Sequence, residues 1–377
     1  MSKLFQSIAR PFIAAQRPYQ PGRPLEEVAR QLGKTDIAGI IKLASNENAL
    51  GPSPKAQEAM AAAIPRMHLY PDGGSFYLRE AIAAKYGISP EMTMLGCGCN
   101  EHAVLLAHAF LGKGDNLVFS ERSFVVYQLV AELYEAKAVR VPMADGVTTD
   151  LPGLLAAIDE RTRIVVVGNP NNPTGTIVSQ EAVDAFVEQV PANVVTVFDE
   201  AYMELVEPDE QVDTVKHVLA GRKPVVVLRT FSKAYGLAGL RCGYAIAQPD
   251  GIDLLNKVRQ PFNVNAMAQA ACIAALDDGE HLAKTRAMLR EGAAFLLDGV
   301  RKLGLDPQPT KTNFLFVPFE RAKELAAAME RHDVIIRPLA GFGLPGHVRI
   351  GIGTPAENRQ CLDALAASLA ELGWPGR

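Results

Sequence analysis

Four short apolar runs stand out along the middle of the chain, at 117–120, 164–167, 194–198 and 225–228. They are rich in β-branched residues and lack polar alternation, the pattern of strands covered on both faces in a parallel sheet. Helix-length stretches separate them, for example 180–190. This alternation predicts an α/β fold, a mainly parallel central sheet with helices on both faces.

On either side the texture differs. Residues 56–111 read as helical, with Ala-rich runs broken at Tyr70-Pro71-Asp72-Gly73-Gly74 and at Leu95-Gly96-Cys97-Gly98. The first forty residues contain Pro11, Pro18, Pro21 and Pro24 and read as an extended arm with one short helix. Beyond Asp277 the chain predicts a long helix to Leu303, a strand at 312–317, a helix at 321–331, strands at 334–337 and 348–352, and a last helix. That is an α+β unit packed with the arm. The expected organisation is an arm over 1–45, a large domain over 46–276 and a small C-terminal domain over 277–377.

Bulk properties narrow the function classes. With 377 residues, 48% of them hydrophobic, the chain can bury one large core or two smaller ones. The formal net charge is −4 with both signs interspersed, which points away from a nucleic-acid partner. The longest apolar runs fall far short of the roughly 20 residues that span a bilayer, so no membrane partner is expected. Lys3 and Arg10 near the start are not followed by a continuous apolar core, so no secretory signal is read and a cytoplasmic location is expected. The five cysteines are odd in number, and Cys97 and Cys99 stand only two apart. Reduced, packed thiols are predicted, and no metal site.

Ligands of open α/β sheets bind beyond the carboxyl ends of the strands, and polar residues of unusual chemistry sit there. The run 194–198 leads directly into Asp199-Glu200-Ala201-Tyr202. A carboxylate emerging at a buried strand end needs a cationic or hydrogen-bonding partner, a pyridinium nitrogen among the candidates. The run 225–228 leads into Arg229-Thr230-Phe231-Ser232-Lys233, placing a lysine that can be desolvated and made nucleophilic beside two hydroxyls. Asn169-Pro170-Asn171-Asn172-Pro173-Thr174-Gly175 forms a rigid turn after 164–167, its amides expected to face outward from the sheet end. Gly96-Cys97-Gly98-Cys99-Asn100-Glu101 opens a helix whose exposed N–H groups suit a phosphate. It fails as a dinucleotide fingerprint, because Glu101 occupies the third glycine position and no strong strand is read before it. Taken singly, each motif has an ordinary explanation: an N-cap aspartate, a solvated lysine, a plain loop.

In combination, with Leu43-Ala44-Ser45-Asn46-Glu47-Asn48 and the segment from Thr230 through Arg241-Cys242-Gly243, the chain resembles fold-type I pyridoxal-phosphate enzymes. It most resembles histidinol-phosphate aminotransferases, over nearly its whole length. The resemblance implies that Lys233 bonds pyridoxal 5′-phosphate covalently and then moves the proton at the substrate Cα. It implies that Asp199 pairs with the ring nitrogen, that Asn172 and Tyr202 hydrogen-bond the phenolic oxygen, and that Phe124 stacks on the ring. The cofactor phosphate would sit on the backbone N–H groups of Cys99 and Asn100, with Thr230, Ser232 and Arg241 completing the cup. Tyr70 would reach the phosphate of the neighbouring subunit, implying a homodimer with shared sites. Asn46, Asn172, Arg337 and Arg349 would bind substrate, together with Tyr19 from the N-terminal arm of the partner subunit. The chain departs from the family pattern at Cys99, Arg122 and Ala49, and Arg122 adds positive charge two residues before Phe124.

The implied reaction converts histidinol phosphate and 2-oxoglutarate to imidazole acetol phosphate and glutamate. Transamination of aromatic amino acids is the main competing activity. Decarboxylation of a phosphorylated amino acid and a non-catalytic, cofactor-binding regulator are more distant ones.

Overall fold

The structure of the protein is a computed structural model that describes residues 4–16, 18 and 22–375. Its strands, in chain order, are β1 (Ile41–Lys42), β2 (Thr93–Gly96), β3 (Asn116–Ser120), β4 (Lys137–Val141), β5 (Thr162–Gly168), β6 (Val195–Asp199), β7 (Val225–Thr230), β8 (Gly243–Ile246), β9 (Phe314–Pro318), β10 (Val334–Ile335), β11 (Arg337–Pro338) and β12 (His347–Gly351). The four predicted apolar runs become β3, β5, β6 and β7, in the middle of a seven-stranded sheet ordered β2-β8-β7-β6-β5-β3-β4. Only β8 runs antiparallel to its neighbours.

Alternate residues along these strands enter different cores, which explains the absence of polar alternation. Val165, Val167, Phe198 and Val227 pack with Leu78 and Ile82 of helix Phe76–Tyr86 and with Val183 and Phe186 of helix Gln180–Gln189. Ile164, Val166, Val197 and Leu228 pack on the other face with Leu105 of helix Cys99–Phe110, Val130 of helix Val126–Leu133 and Leu255 of helix Pro249–Val258. Each such side chain contributes about 1.5–3 kcal/mol through burial. The expected architecture, a mainly parallel sheet with helices on both faces, is therefore observed.

Several local expectations are corrected. A fully buried strand, β2, does lead into the Gly96 motif, within the stretch read as helical; four residues after a 3-10 turn, the last of them Gly96 itself, gave too short a signal. The edge strand β4 went unread because only one of its five residues is buried, so it carries no apolar run. The arm forms three short helices among the described residues, Leu4–Ile8, Pro11–Ala15 and Leu25–Gln31, where one was expected. The single strand read at 334–337 divides at Ile336. β10 pairs parallel with β1, and β11 pairs antiparallel with β12, which also pairs with β9. Through β1 the N-terminal segment joins the C-terminal part of the chain, as expected, with Val28, Ala29, Ile40 and Ala44 packed on Ile335. Among the described residues no helix is long and apolar enough to cross a membrane.

Candidate active site

The carboxyl ends of β5, β6 and β7 open onto a cavity of about 420 Å³. Asn46, Cys99, Asn100, Phe124, Asn172, Asp199, Tyr202, Thr230, Ser232, Lys233, Arg241, Arg337 and Arg349, singled out across more than 300 residues of sequence, all line it. Two predicted residues do not join them. Tyr70 is 83% exposed, away from the cavity, stacked on Phe262 with ring centroids 4.8 Å apart. Tyr19 lies outside the described residues.

Asp199 ends β6, and the sheet holds it there: the N–H of Asn169 donates to its carbonyl, and the N–H of Glu200 donates to the carbonyl of Leu228 on β7. The Tyr127 hydroxyl donates to Asp199 Oδ2 at 2.7 Å, and the Ala201 N–H donates to Oδ1 at 3.3 Å. Burial pushes the Asp199 carboxyl above the usual range, although Tyr127, Ala201 and Lys233 all favour the charged form. An anion desolvated this far at a cavity wall suits a cationic N–H.

Lys233 follows β7, and its amine donates to the Ser45 carbonyl at 3.2 Å. Burial is the main cause that brings its pKa down to about 8, with the positive charges of Arg349 and Arg241 acting in the same direction and Glu47 opposing them. The side chain keeps some exposure, toward the cavity it lines. The lowered pKa leaves far more of this amine unprotonated near neutrality than an ordinary lysine has, which suits a nucleophile and a base.

At the other end, helix Cys99–Phe110 points its first N–H groups at the cavity, with its dipole favouring an anion. Gly98 before it has φ +77°, and a Cβ there would stand 2.8 Å from Arg241 Nη2. Glycine thus lets the guanidinium approach the helix start. Arg241, itself in the left-handed region at φ 57°, donates to Ser232 Oγ at 3.5 Å and to the Ala238 carbonyl. The Ser232 N–H donates to Thr230 Oγ1, folding these hydroxyls into the same cup. The Cys99 thiol donates to the Arg229 carbonyl, and burial holds it neutral by pushing its pKa far up.

Between these poles, Asn46, at φ 57°, donates from Nδ2 to the Tyr202 hydroxyl at 2.8 Å, and burial pushes Tyr202 up to about 12. Arg349, 5% exposed, donates from Nη1 to Asn172 Oδ1 at 2.7 Å and from Nη2 to the Ala44 carbonyl at 2.9 Å. Arg337 stands directly opposite Arg349 in the β11–β12 register. The turn after β5 corrects the expectation that its amides all face outward. Asn169 Oδ1 accepts from the Val178 N–H, and Asn171 donates to the Arg122 carbonyl and to Thr174, so only Asn172 reaches the cavity.

Arg122, which the sequence left without an assigned role, turns away from the cavity. Its guanidinium donates to the Gly146 carbonyl at 2.7 Å and does not line the cavity. Tyr127 escaped sequence reading: one helical turn after Phe124, within an apolar helix, it reads as core. So did the buried bracket in which Arg229 pairs with Glu200 at 2.5 Å and with Glu204 at 3.1 Å. The available signal was a charged residue placed inside or directly after an otherwise apolar strand.

An aldehyde-bearing, electron-poor ring with a phosphate tail fits this donor set at every point: an amine of lowered pKa, a desolvated carboxylate, hydroxyl and amide groups between them, and an anion cup at a helix start. The profile of the aminotransferase class I and II family matches residues 38–365, and the chain belongs to that family. Within it, the chain is 46% identical over 360 residues to a histidinol-phosphate aminotransferase of Akkermansia muciniphila, covering 96% of this chain and 98% of that one. It is 47% identical over 367 residues to histidinol-phosphate aminotransferase 2 of Pseudomonas aeruginosa, covering 97% and 99%. The crystal structure of histidinol-phosphate aminotransferase from Sinorhizobium meliloti in complex with pyridoxal-5′-phosphate superposes with a TM-score of 0.87 at 29% identity, covering 97% and 98%.

Proposed function

We propose that this chain is a pyridoxal-phosphate-dependent aminotransferase that moves the amino group of histidinol phosphate to 2-oxoglutarate, giving imidazole acetol phosphate and glutamate. The observation that carries the substrate reading is the pair Arg337 and Arg349, opposite each other across β11 and β12 on the wall of the cavity that holds Lys233. Two guanidinium groups side by side suit a phosphate or carboxylate, which they bind through paired N–H donors.

In this reading Lys233 holds the cofactor covalently, Asp199 pairs with its ring N–H and Asn172 and Tyr202 hold its phenolic oxygen. Phe124 covers the ring, and the Cys99 and Asn100 N–H groups with Thr230, Ser232 and Arg241 hold its phosphate. When bound, pyridoxal 5′-phosphate supplies an aldehyde that condenses with amines and an electron-poor ring that takes up the electron pair left at Cα. Lys233 Nζ takes the proton from the substrate Cα, and a pKa near 8 suits an amine that must both accept and return it. Arg349 binds the anionic end of the donor and, in the second half-reaction, a carboxylate of the 2-oxo acid. Its bond to Asn172 joins substrate recognition to the amide that orients the ring. Asn46 fixes the Tyr202 hydroxyl. The protein works as a homodimer in which Tyr70 and Tyr19 serve the partner subunit's site, a role that the exposure of Tyr70 supports.

Steady-state kinetics of the purified holoenzyme with 2-oxoglutarate and either histidinol phosphate, phenylalanine or tyrosine tests the reading, with Lys233→Ala as the control. Histidinol phosphate should have the highest kcat/KM, and Lys233→Ala should lose both covalent cofactor and nearly all turnover. Rapid reaction of the aromatic amino acids with none of histidinol phosphate would replace this substrate with theirs.

A further inference from the structure

We propose that Tyr127 is the positioning residue for Asp199: its hydroxyl fixes one carboxylate oxygen while its ring braces Phe124, so one side chain sets both the acidic and the aromatic contact of the cofactor ring. The inference rests on the proposed role of Asp199 at the ring nitrogen.

The geometry is specific. Tyr127 is buried, its hydroxyl stands 2.7 Å from Asp199 Oδ2, and its ring meets Phe124 edge-on at 6.0 Å and 89° and Phe119 at 5.9 Å and 71°. Phe124 lies one turn earlier, where its carbonyl accepts the Tyr127 N–H. Gly168, at the end of β5, borders the pair: a Cβ there would be in ordinary contact with Tyr127 Oη at 3.8 Å. With Oδ2 held by Tyr127 and Oδ1 turned to the Ala201 N–H, the carboxylate cannot rotate freely. Asp199 and Tyr127 both line the cavity.

The consequence for protonation has a definite sign. A hydroxyl donated to a carboxylate favours its ionised form. The groups facing Asp199 are Tyr127 from helix Val126–Leu133, Lys233 after β7, Cys99 at the start of its helix and Tyr202 on the same segment. Tyr127 stays a donor throughout the working range, because burial and the Asp199 charge push its own pKa far up. Removing the hydroxyl lets Asp199 protonate at higher pH. A protonated Asp199 cannot pair with a ring N–H⁺, so cofactor affinity should fail at higher pH in Tyr127→Phe than in the natural protein.

The test is re-addition of pyridoxal 5′-phosphate to the cofactor-stripped, full-length protein across a pH series, for the natural chain, Tyr127→Phe and Asp199→Asn, read by absorbance. Phenylalanine keeps the packing against Phe119 and Phe124. A hydrogen bond to a charged group corresponds to about 10- to 100-fold. Tyr127→Phe should weaken binding by that order toward acid pH and much less toward alkaline pH, and lower kcat with little change in KM. An affinity loss equal at every pH would mean packing alone, and no loss at any pH would mean no role; either result overturns the proposal. If Asp199→Asn costs affinity and turnover while Tyr127→Phe costs neither, only the Tyr127 assignment fails. If Asp199→Asn also costs nothing, the ring-nitrogen reading fails with it.

Discussion

Arg349→Ala is the most informative perturbation of substrate recognition, because this side chain acts on two neighbours at once. Its guanidinium is 5% exposed, bonds Asn172 and Ala44, and lies 5.2 Å from the Phe314 ring centroid and 5.8 Å from that of Phe342. Alanine removes the proposed contact to the substrate anion and leaves Asn172 without its bond from Arg349. A hydrogen bond to a charged group contributes about 1.5–3 kcal/mol, and about 1.4 kcal/mol is a factor of ten. Loss of the anion contact alone should lower kcat/KM by about 10- to 100-fold, and loss of the Asn172 bond should add a decrease in kcat. In the proposed mechanism both half-reactions use the same arginine, so stopped-flow single turnovers with histidinol phosphate and with 2-oxoglutarate should slow together. Arg349→Lys keeps the charge but cannot hold Asn172 and the anion through one planar fork, and should fall between. A variant that slows one half-reaction and leaves the other within threefold of normal would refute the shared pocket.

Two further outcomes follow from the same geometry. The rate at which cofactor-free protein captures pyridoxal 5′-phosphate requires an unprotonated Lys233, so it should rise with pH and level off above about 8; a midpoint near 10.5, the ordinary lysine value, would show that the amine is not desolvated. Because the Arg122 guanidinium is bound to the Gly146 carbonyl and does not line the cavity, Arg122→Ala should leave the ratio of kcat/KM for histidinol phosphate and phenylalanine unchanged, and a shift beyond threefold in competition assays would place its charge in the substrate field.

What the sequence made legible divides along physical lines. Strands buried on both faces announce themselves as short apolar runs, so β3, β5, β6 and β7 were readable. The edge strand β4 is half solvated, and the two-residue strands β10 and β11 are too short for any period to appear. At the site, residues within dense motifs, such as Asn172, Asp199 and Lys233, were readable because their types conflict with the apolar runs beside them. Tyr127 conflicts with nothing locally, and a tyrosine in an apolar helix becomes a hydrogen-bond donor to Asp199 only when the chain folds back across a separation of 72 positions. The turn at 169–175 failed differently: its composition was conspicuous, but which amide serves the cavity depends on Val178 and Arg122 claiming the other two.

The Arg229 bracket shows how such long-range dependence holds the site together. Arg229 is the next-to-last residue of β7, and its partners Glu200 and Glu204 follow the end of β6. Both carboxylates and the guanidinium are buried, and burial pushes Glu200 up to about 7 even against the arginine's charge. A buried ion pair adds little net stability over a well-packed apolar substitute, whereas loss of one partner costs about 3–5 kcal/mol. Its value here lies in what it connects. Asp199 immediately precedes Glu200, Tyr202 lies between Glu200 and Glu204, and Thr230, Ser232 and Lys233 follow Arg229. The sheet fixes β6 against β7 only as far as Asp199 opposite Leu228. Beyond that point the backbone leaves the ladder, and the ionic bracket, with Thr214 Oγ1 donating to Glu200 Oε1, carries the registration of the two segments into the cavity. The carboxylate and the lysine amine therefore face each other across a site whose spacing is set from beneath by charges that never touch it.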